Sequence, residues 1–204
     1  MQGIETFRSI LAWPWAYRFF FSVIGGPQRS AILVQEYVRP RVGHRILEIG
    51  CGPGTIVPYL PDTEYVGFDA SPEYIASAQA RFGDRTTFIC ERVSQYSLKE
   101  HSYFDIVLAL GILHHLDDTE ALRLFQIARA ALKPGGKLIT LDGCFVEEQS
   151  AMARYIISKD RGQYARTREQ YVQIASQVFS NITPSIRHDL LRIPYTHLIL
   201  ECIR

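Results

Sequence analysis

The stretch Arg45-Ile46-Leu47-Glu48-Ile49-Gly50-Cys51-Gly52-Pro53-Gly54-Thr55 constrains this chain more than any other. An apolar run enters a glycine cluster, and turn formers then give way to Thr55-Ile56-Val57. This reads as a buried parallel strand feeding a helix through a tight loop. Without Cβ atoms, Gly50, Gly52 and Gly54 let the backbone take positive φ and let a ligand sit directly on the loop, with the N–H groups of the helix start facing the same space. A plain strand-to-helix turn needs about one glycine, so glycines at three alternate positions point to ligand binding. A dinucleotide fingerprint, G-x-G-x-x-G, would place its third glycine at Thr55, whereas the pattern here is E-x-G-x-G-x-G.

That pattern resembles the first motif of the class I S-adenosylmethionine (SAM)-dependent methyltransferases. The resemblance implies an α/β, Rossmann-like class I methyltransferase fold: a seven-stranded, mostly parallel sheet whose last strand is antiparallel, here with an N-terminal helical extension. It implies SAM as cofactor and S-adenosylhomocysteine (SAH) as product. Gly50 and Gly52 then neighbour the methionine part of SAM, Glu48 holds the loop from behind, and Cys51 and Gly54 complete the cofactor-binding loop.

The order of elements agrees. Tyr65-Val66-Gly67-Phe68-Asp69 is a second buried strand that ends in an acid about twenty residues past Gly50, where an open α/β sheet places the residue that receives a nucleoside ribose. Asp69, followed by Ala70, is the strongest single cofactor candidate, because a carboxylate can accept from both ribose hydroxyls. Ser71-Pro72-Glu73 opens a helix by itself, so Ser71 can cap while Asp69 binds. Thr86 to Cys90 is a third strand. The family resemblance makes Glu91, with Arg92 beside it, the acceptor of the adenine amino group, although Cys90-Glu91-Arg92-Val93 departs from the commoner Gly-Asp-Ala.

Tyr103 to Leu110 is a fourth, central strand, apolar after Asp105. The resemblance lays the Ala109 to Gly111 backbone, Leu110 included, along the methionine moiety. His114 and His115 follow at the carboxyl edge of the sheet, where the transferred methyl should point. Either imidazole, titrating near 6.5 when unperturbed, can take a proton from an acceptor hydroxyl or ammonium. His114 is the first choice of base for an O-acceptor, with His115 or Asp142 as alternates; an amine that loses its proton to water needs no base. Two histidines without a carboxylate at ligand spacing predict no metal site.

Asp117-Asp118-Thr119-Glu120 starts a helix that runs to Leu132. Lys133-Pro134-Gly135-Gly136-Lys137 turns the chain into a fifth strand ending at Asp142, and this turn also looks like its methyltransferase counterpart. Beyond it, Glu147 to Ile157 can form a helix. In the polar stretch after it, Arg161, Arg166 and Arg168 are candidates to grip an acidic or polyhydroxylated acceptor, since guanidinium pairs with carboxylate or phosphate in a fork. Asp142, Arg161, Arg166 and Tyr17 form the candidate acceptor-binding set. Thr167 to Val178 reads as a helix, and Ile182 to Leu190 and Tyr195 to Cys202 as the closing strands.

The aromatic stretch Phe7 to Ile24 leaves three roles open: a helix packed on the domain, a lid over cofactor and acceptor that brings in Tyr17, or a segment touching a membrane surface. Pro14 and Arg18 interrupt it, so neither a spanning helix nor a signal peptide fits. The residues divide into a helical cap (1–42), a SAM-binding core (43–142) and an acceptor-side insertion with closing strands (143–204), within a single domain. With 22 basic against 21 acidic residues, charge gives a nucleic-acid partner no support and favours a small-molecule acceptor. The four scattered cysteines suit reduced thiols and a cytoplasmic location. The alternatives to methyl transfer are a non-catalytic SAM- or SAH-binding or protein-interaction module of the same fold, and an NAD-dependent oxidoreductase. Acceptor identity and oligomeric state are not encoded in any motif.

Overall fold

The computed structural model describes residues 14–93, 102–160 and 162–204, without the side chains of Pro14 and Tyr17. Eight strands form the sheet: β1 (Arg45–Ile49), β2 (Glu64–Asp69), β3 (Thr87–Cys90), β4 (Phe104–Leu110), β5 (Leu132–Phe145), β6 (Arg166–Thr167), β7 (Asn181–Arg187) and β8 (His197–Ile203). Seven run in the order β3-β2-β1-β4-β5-β8-β7, and the two-residue β6 pairs with β5 to one side. Strands β1 to β5 are mutually parallel. The final strand β8 lies antiparallel between β5 and β7, as the sequence predicts.

Helices α1 (Pro14–Val23), α2 (Gly26–Ile32), α3 (Pro72–Phe82), α4 (Asp118–Ala131), α5 (Ala151–Ser158) and α6 (Arg168–Ser176) surround the sheet. One sheet face packs on α4 and α6 through Leu124, Phe125, Ala128, Tyr171 and Ile174. The other packs on α3 through Ile75 and on Leu33, Val34 and Val38, which continue α2 as a π-helical turn. This gives three layers with a core on each side of the sheet.

The capping chemistry places the helix starts. Ser71 Oγ accepts from the Tyr74 amide at 3.2 Å, Asp117 Oδ1 from Glu120 at 2.8 Å, and Thr167 and Gln170 bond reciprocally in a capping box. Helix α5 begins later than its sequence suggests, because Ser150, not Glu147, supplies the cap, taking the Ala153 amide at 3.1 Å.

The helix expected after the glycine loop is reduced to a single 3₁₀ turn, Val57–Tyr59. Three prolines account for this. Pro58 starts the turn, and Pro61 forces Leu60 into an extended conformation with ψ 140°. Pro53, inside the glycine loop, removes one more amide donor. The loop therefore has no long helix aimed at it, and its own amides and neighbouring side chains must do the binding.

Of the aromatic N-terminus, residues 1–13 lie outside the described part. In α1, Ala16 and Phe21 are buried while Trp15 and Phe19 are exposed. Among the described residues no helix is long and apolar enough to cross a membrane.

Candidate active site

Strands β1 and β4 are neighbours at the centre of the sheet, and their connections leave in opposite directions. Open α/β sheets bind ligands at the carboxyl ends of such a pair. Here that edge carries the glycine loop after β1 and the His114 turn after β4.

The glycines of the loop serve different ends. Gly50 has φ +75°, and a Cβ added there would lie 2.6 Å from Ile112 Cδ1, so its missing side chain makes room for the His114 turn. Gly52 has φ +52° and open space where its Cβ would point. Gly54, at φ +70°, lies against Phe82 and Phe88, where an added Cβ would come within 3.2 to 3.4 Å of their rings, and it is not in the lining of the pocket around Gly52. Gly52 is thus the position at which a ligand can approach the backbone.

Around Gly52 a small pocket is lined by Arg29, Ser30 and Leu33 from α2 and its continuation, by Glu48, Gly50, Cys51, Gly52, Pro53, Thr55 and Ile56 from β1 and its loop, and by Leu110 from β4. Glu48 is 3% exposed and accepts from the Tyr65 hydroxyl. Burial pushes its carboxyl up to about 8; Asp69 adds to the rise, while the Tyr65 bond and the charge of Arg29 oppose it. Burial, reinforced by Glu48 and Asp69, also raises the Cys51 thiol and keeps it protonated.

Asp69 faces the loop. Its Oδ2 accepts from the Gly52 amide at 2.8 Å and its Oδ1 from the Ser71 amide at 2.9 Å. The carboxylate thereby fixes the glycine loop, and each oxygen keeps one acceptor site for a ligand hydroxyl. Ala70 is exposed beside it. Glu91 and Arg92 lie exposed beyond β3 and do not line the pocket; Arg92 pairs with Glu120 at 3.6 Å.

Gly111, at φ +74°, turns the chain sharply off β4 into the 3₁₀ turn Leu113–His115. His114 is 8% exposed, and its Nδ1 lies 2.8 Å from Asp142 Oδ1, which also accepts the His114 amide at 3.1 Å. Burial alone would lower this imidazole, but the bond to Asp142 and the charges of Asp142 and Asp160 outweigh it, so the ring holds its proton above the ordinary histidine range. With Nδ1 committed to Asp142, Nε2 is the nitrogen left for chemistry. The ring carbons flanking it face Gly111, whose Cβ would lie 3.8 Å from Cε1, and Gly162, whose Cβ would lie 1.9 Å from Cδ2. His115 is exposed, its ring 4.2 Å from that of His114. Nearby, the Tyr195 hydroxyl donates to Asp160 at 2.7 Å, and the Tyr195 ring stacks at 4.6 Å on buried His197, whose imidazole burial holds well below its usual value.

Two of the predicted acceptor residues take other roles. Asp142 is 3% exposed and orients His114. Arg166 is 6% exposed, and all its guanidinium N–H groups are spent within the protein, on Asp118 and on the carbonyls of Leu113, Tyr164 and Leu116. A guanidinium so committed has no fork left for an acceptor, which corrects the expectation. Arg161 and the Tyr17 side chain lie outside the described residues. Sequence reasoning missed Arg29 and Ser30, which enter the pocket from α2 and carry no motif. It also missed Gly162 and Tyr195. Among the described residues no group of His, Cys, Asp and Glu side chains could hold a metal.

A parallel sheet with an antiparallel last strand, a glycine loop closed by an acid on the next strand, and an open edge above β1 and β4 are features of the class I SAM-dependent methyltransferase fold, and the chain is similar to members of that family through its core. A family model described as methyltransferase domain matches residues 46–136. Phosphoethanolamine N-methyltransferase 2 of Caenorhabditis elegans is 28% identical over 200 residues, covering 91% of this chain and 45% of that protein. An uncharacterized methyltransferase of Schizosaccharomyces pombe is 32% identical over 123 residues, covering 54% of this chain and 43% of its own length. Among solved structures, phosphoethanolamine N-methyltransferase 2 of Haemonchus contortus in complex with SAM superposes with a TM-score of 0.67 at 28% identity, over 89% of this chain and 44% of that one. The chain thus spans less than half the length of these relatives. SAM is the cofactor that the class I domain uses, and the lining suits part of it: Gly52 offers backbone with nothing within 4 Å of its absent Cβ, and the guanidinium of Arg29 stands beside it, where a carboxylate could be held.

Proposed function

We propose that this chain transfers a methyl group from SAM to a small-molecule acceptor, with His114 as the base that receives the acceptor's proton. The observation that carries the reading is the His114–Asp142 pair, held at the carboxyl edge by a turn whose Ile112 packs on Gly50 of the cofactor loop. Proton site and cofactor loop are therefore in direct contact.

Residues around the pocket divide the work. Arg29 and Ser30 would hold the charged amino-acid end of SAM against Gly50 and Gly52, and Asp69 would take its ribose. When bound, SAM supplies an activated methyl group on a sulfonium. Asp142 holds the His114 ring with Nδ1 inward, so that Nε2 accepts the proton. Such a positioned base contributes about 10² to 10⁴ in rate, and alignment of acceptor and methyl supplies roughly 7 to 11 kcal/mol. His115 is exposed and lies one ring further from Asp142, which favours His114 of the two.

The acceptor is a primary or secondary amine in this reading, because the Caenorhabditis elegans and Haemonchus contortus relatives are N-methyltransferases by name and match most of this chain's length. The division into a helical cap, a cofactor core and an acceptor-side segment goes with it. So does a cytoplasmic location, which the four free cysteines support. Incubating purified protein with SAM and a panel of phosphorylated and plain amino alcohols, with mass detection of products, tests the reading. A mass gain of one methyl group that disappears in His114→Gln supports it, and SAH binding without any methylated product would leave a non-catalytic binding module instead.

A further inference from the structure

The segment after α5 returns to the active-site turn and holds it at three points. Gly162 lies so close on the His114 ring that a Cβ there would overlap Cδ2, at 1.9 Å. Two residues on, the Tyr164 amide donates to the His114 carbonyl at 3.0 Å. Arg166 then donates through Nη1 to Leu113 O at 3.1 Å and Tyr164 O at 2.9 Å, through Nη2 to Leu116 O at 2.7 Å and Asp118 Oδ1 at 2.7 Å, and through Nε to the same Asp118 oxygen at 2.9 Å.

We infer that Arg166 is a positioning residue for the reaction, fixing the direction of His114 Nε2 by clamping both ends of the turn that carries it. The turn needs such support. It is a 3₁₀ element of three residues, Leu113–His115, follows a glycine with positive φ, and is closed by two short-range amide bonds, His115 to Ile112 O at 3.0 Å and Leu116 to Leu113 O at 3.1 Å. The guanidinium bridges the carbonyls on either side of His114 and His115, which a single ammonium cannot span. Its backbone meanwhile pairs with Cys144 on β5, two residues past Asp142. Arg166 therefore ties the imidazole and the carboxylate that orients it to one rigid point. An ion pair with Asp118 alone would not account for the burial, since the Arg166 side chain is 7% exposed while that of Asp118 is 80% exposed.

This inference rests on His114 being the base, and the test separates the two. In the whole chain, Arg166→Ala and Arg166→Lys are compared with the parent for SAH binding, for kcat and KM with the amino alcohol of the panel that the parent methylates, and for the His114 side-chain nitrogen signals followed by NMR through a pH titration. The expected result is SAH binding close to the parent's, KM little changed, and kcat lower by about 10- to 100-fold, as a misplaced reacting group produces. His114 should titrate at lower pH in both variants as its bond to Asp142 loosens, and added guanidinium should restore part of the kcat of Arg166→Ala. A His114 titration and kcat identical to the parent's in both variants overturns the inference. If Arg166→Ala no longer binds SAH, Arg166→Lys, which retains charge and most of the volume, decides by the same readouts. Unimpaired turnover in His114→Gln would instead sink the base assignment, while the NMR titration would still report whether Arg166 positions the ring.

Discussion

Asp69 reaches back across the sheet edge to the amide of Gly52, 2.8 Å away, so the end of β2 holds the loop that follows β1. With Ser71 on its other oxygen, the carboxylate is a structural acceptor, and the proposed ribose contact would use the lone pairs that remain. Asp69→Ala removes two charge-assisted bonds at once, and SAH affinity should fall at least about tenfold, whereas Asp69→Asn, which keeps one acceptor oxygen, should lose less. Calorimetric dissociation constants for the three proteins check this. Equal affinities would show that the loop does not depend on Asp69.

Gly50 and Gly52 should respond oppositely to alanine. Both have positive φ, which costs a non-glycine residue roughly 1–2 kcal/mol. At Gly50 the new methyl also meets Ile112, whereas at Gly52 it enters open space. Gly50→Ala should therefore show the larger fall in melting temperature, with overpacking adding about 1–3 kcal/mol. Gly52→Ala should stay folded and lose SAH affinity. Thermal unfolding with and without SAH distinguishes them, and a Gly52→Ala protein that binds SAH like the parent would place the ligand elsewhere.

Glu48 predicts an unusual pH dependence of stability. Its carboxyl is raised to about 8, against an unfolded value near 4.3. The folded state then binds the extra proton between these values, so its contribution is complete below about pH 4.3 and is lost as pH rises through 8, at no more than roughly 1.4 kcal/mol per pH unit. Glu48→Gln cannot ionise and still accepts from Tyr65. It should differ least from the parent near pH 4 and exceed it near pH 8 in urea unfolding. A difference that does not grow with pH would contradict the buried, protonated Glu48.

The His114–Asp142 pair sets the acid limb of the pH–rate profile. Asp142 raises the imidazole against the effect of burial, so Asp142→Asn leaves burial opposed only by the charge of Asp160 and the limb should move to lower pH. With the ring no longer held, kcat should also drop by about 10² or more. The kcat/KM profile from pH 5 to 9 for both proteins measures this. A limb that stays in place would remove His114 as the titrating group.

Much of this was legible in the chain because local rules act alone there. The apolar run into Gly50-Cys51-Gly52, the Ser71-Pro72 and Asp117-Asp118 helix starts, and the Thr167–Gln170 box all read from their immediate neighbours. What depended on distant packing was not legible. Gly50 gave no sign that, besides lining the pocket, it makes room for Ile112, sixty-two residues on. Arg166 looked like a substrate grip, because a guanidinium in a polar stretch gives no sign that its bonds close on Leu113 and Leu116, some fifty residues earlier. Arg29 and Ser30 carried no motif, since they reach the pocket only through the placement of α2 against the sheet.

The most direct test of the central claim is calorimetric titration of the stripped, purified protein with SAH, and separately with NADH. Micromolar SAH binding with NADH binding far weaker or absent is the predicted result. No heat with SAH, or a preference for NADH, would contradict the assignment of the glycine loop and Asp69 to a SAM-type ligand.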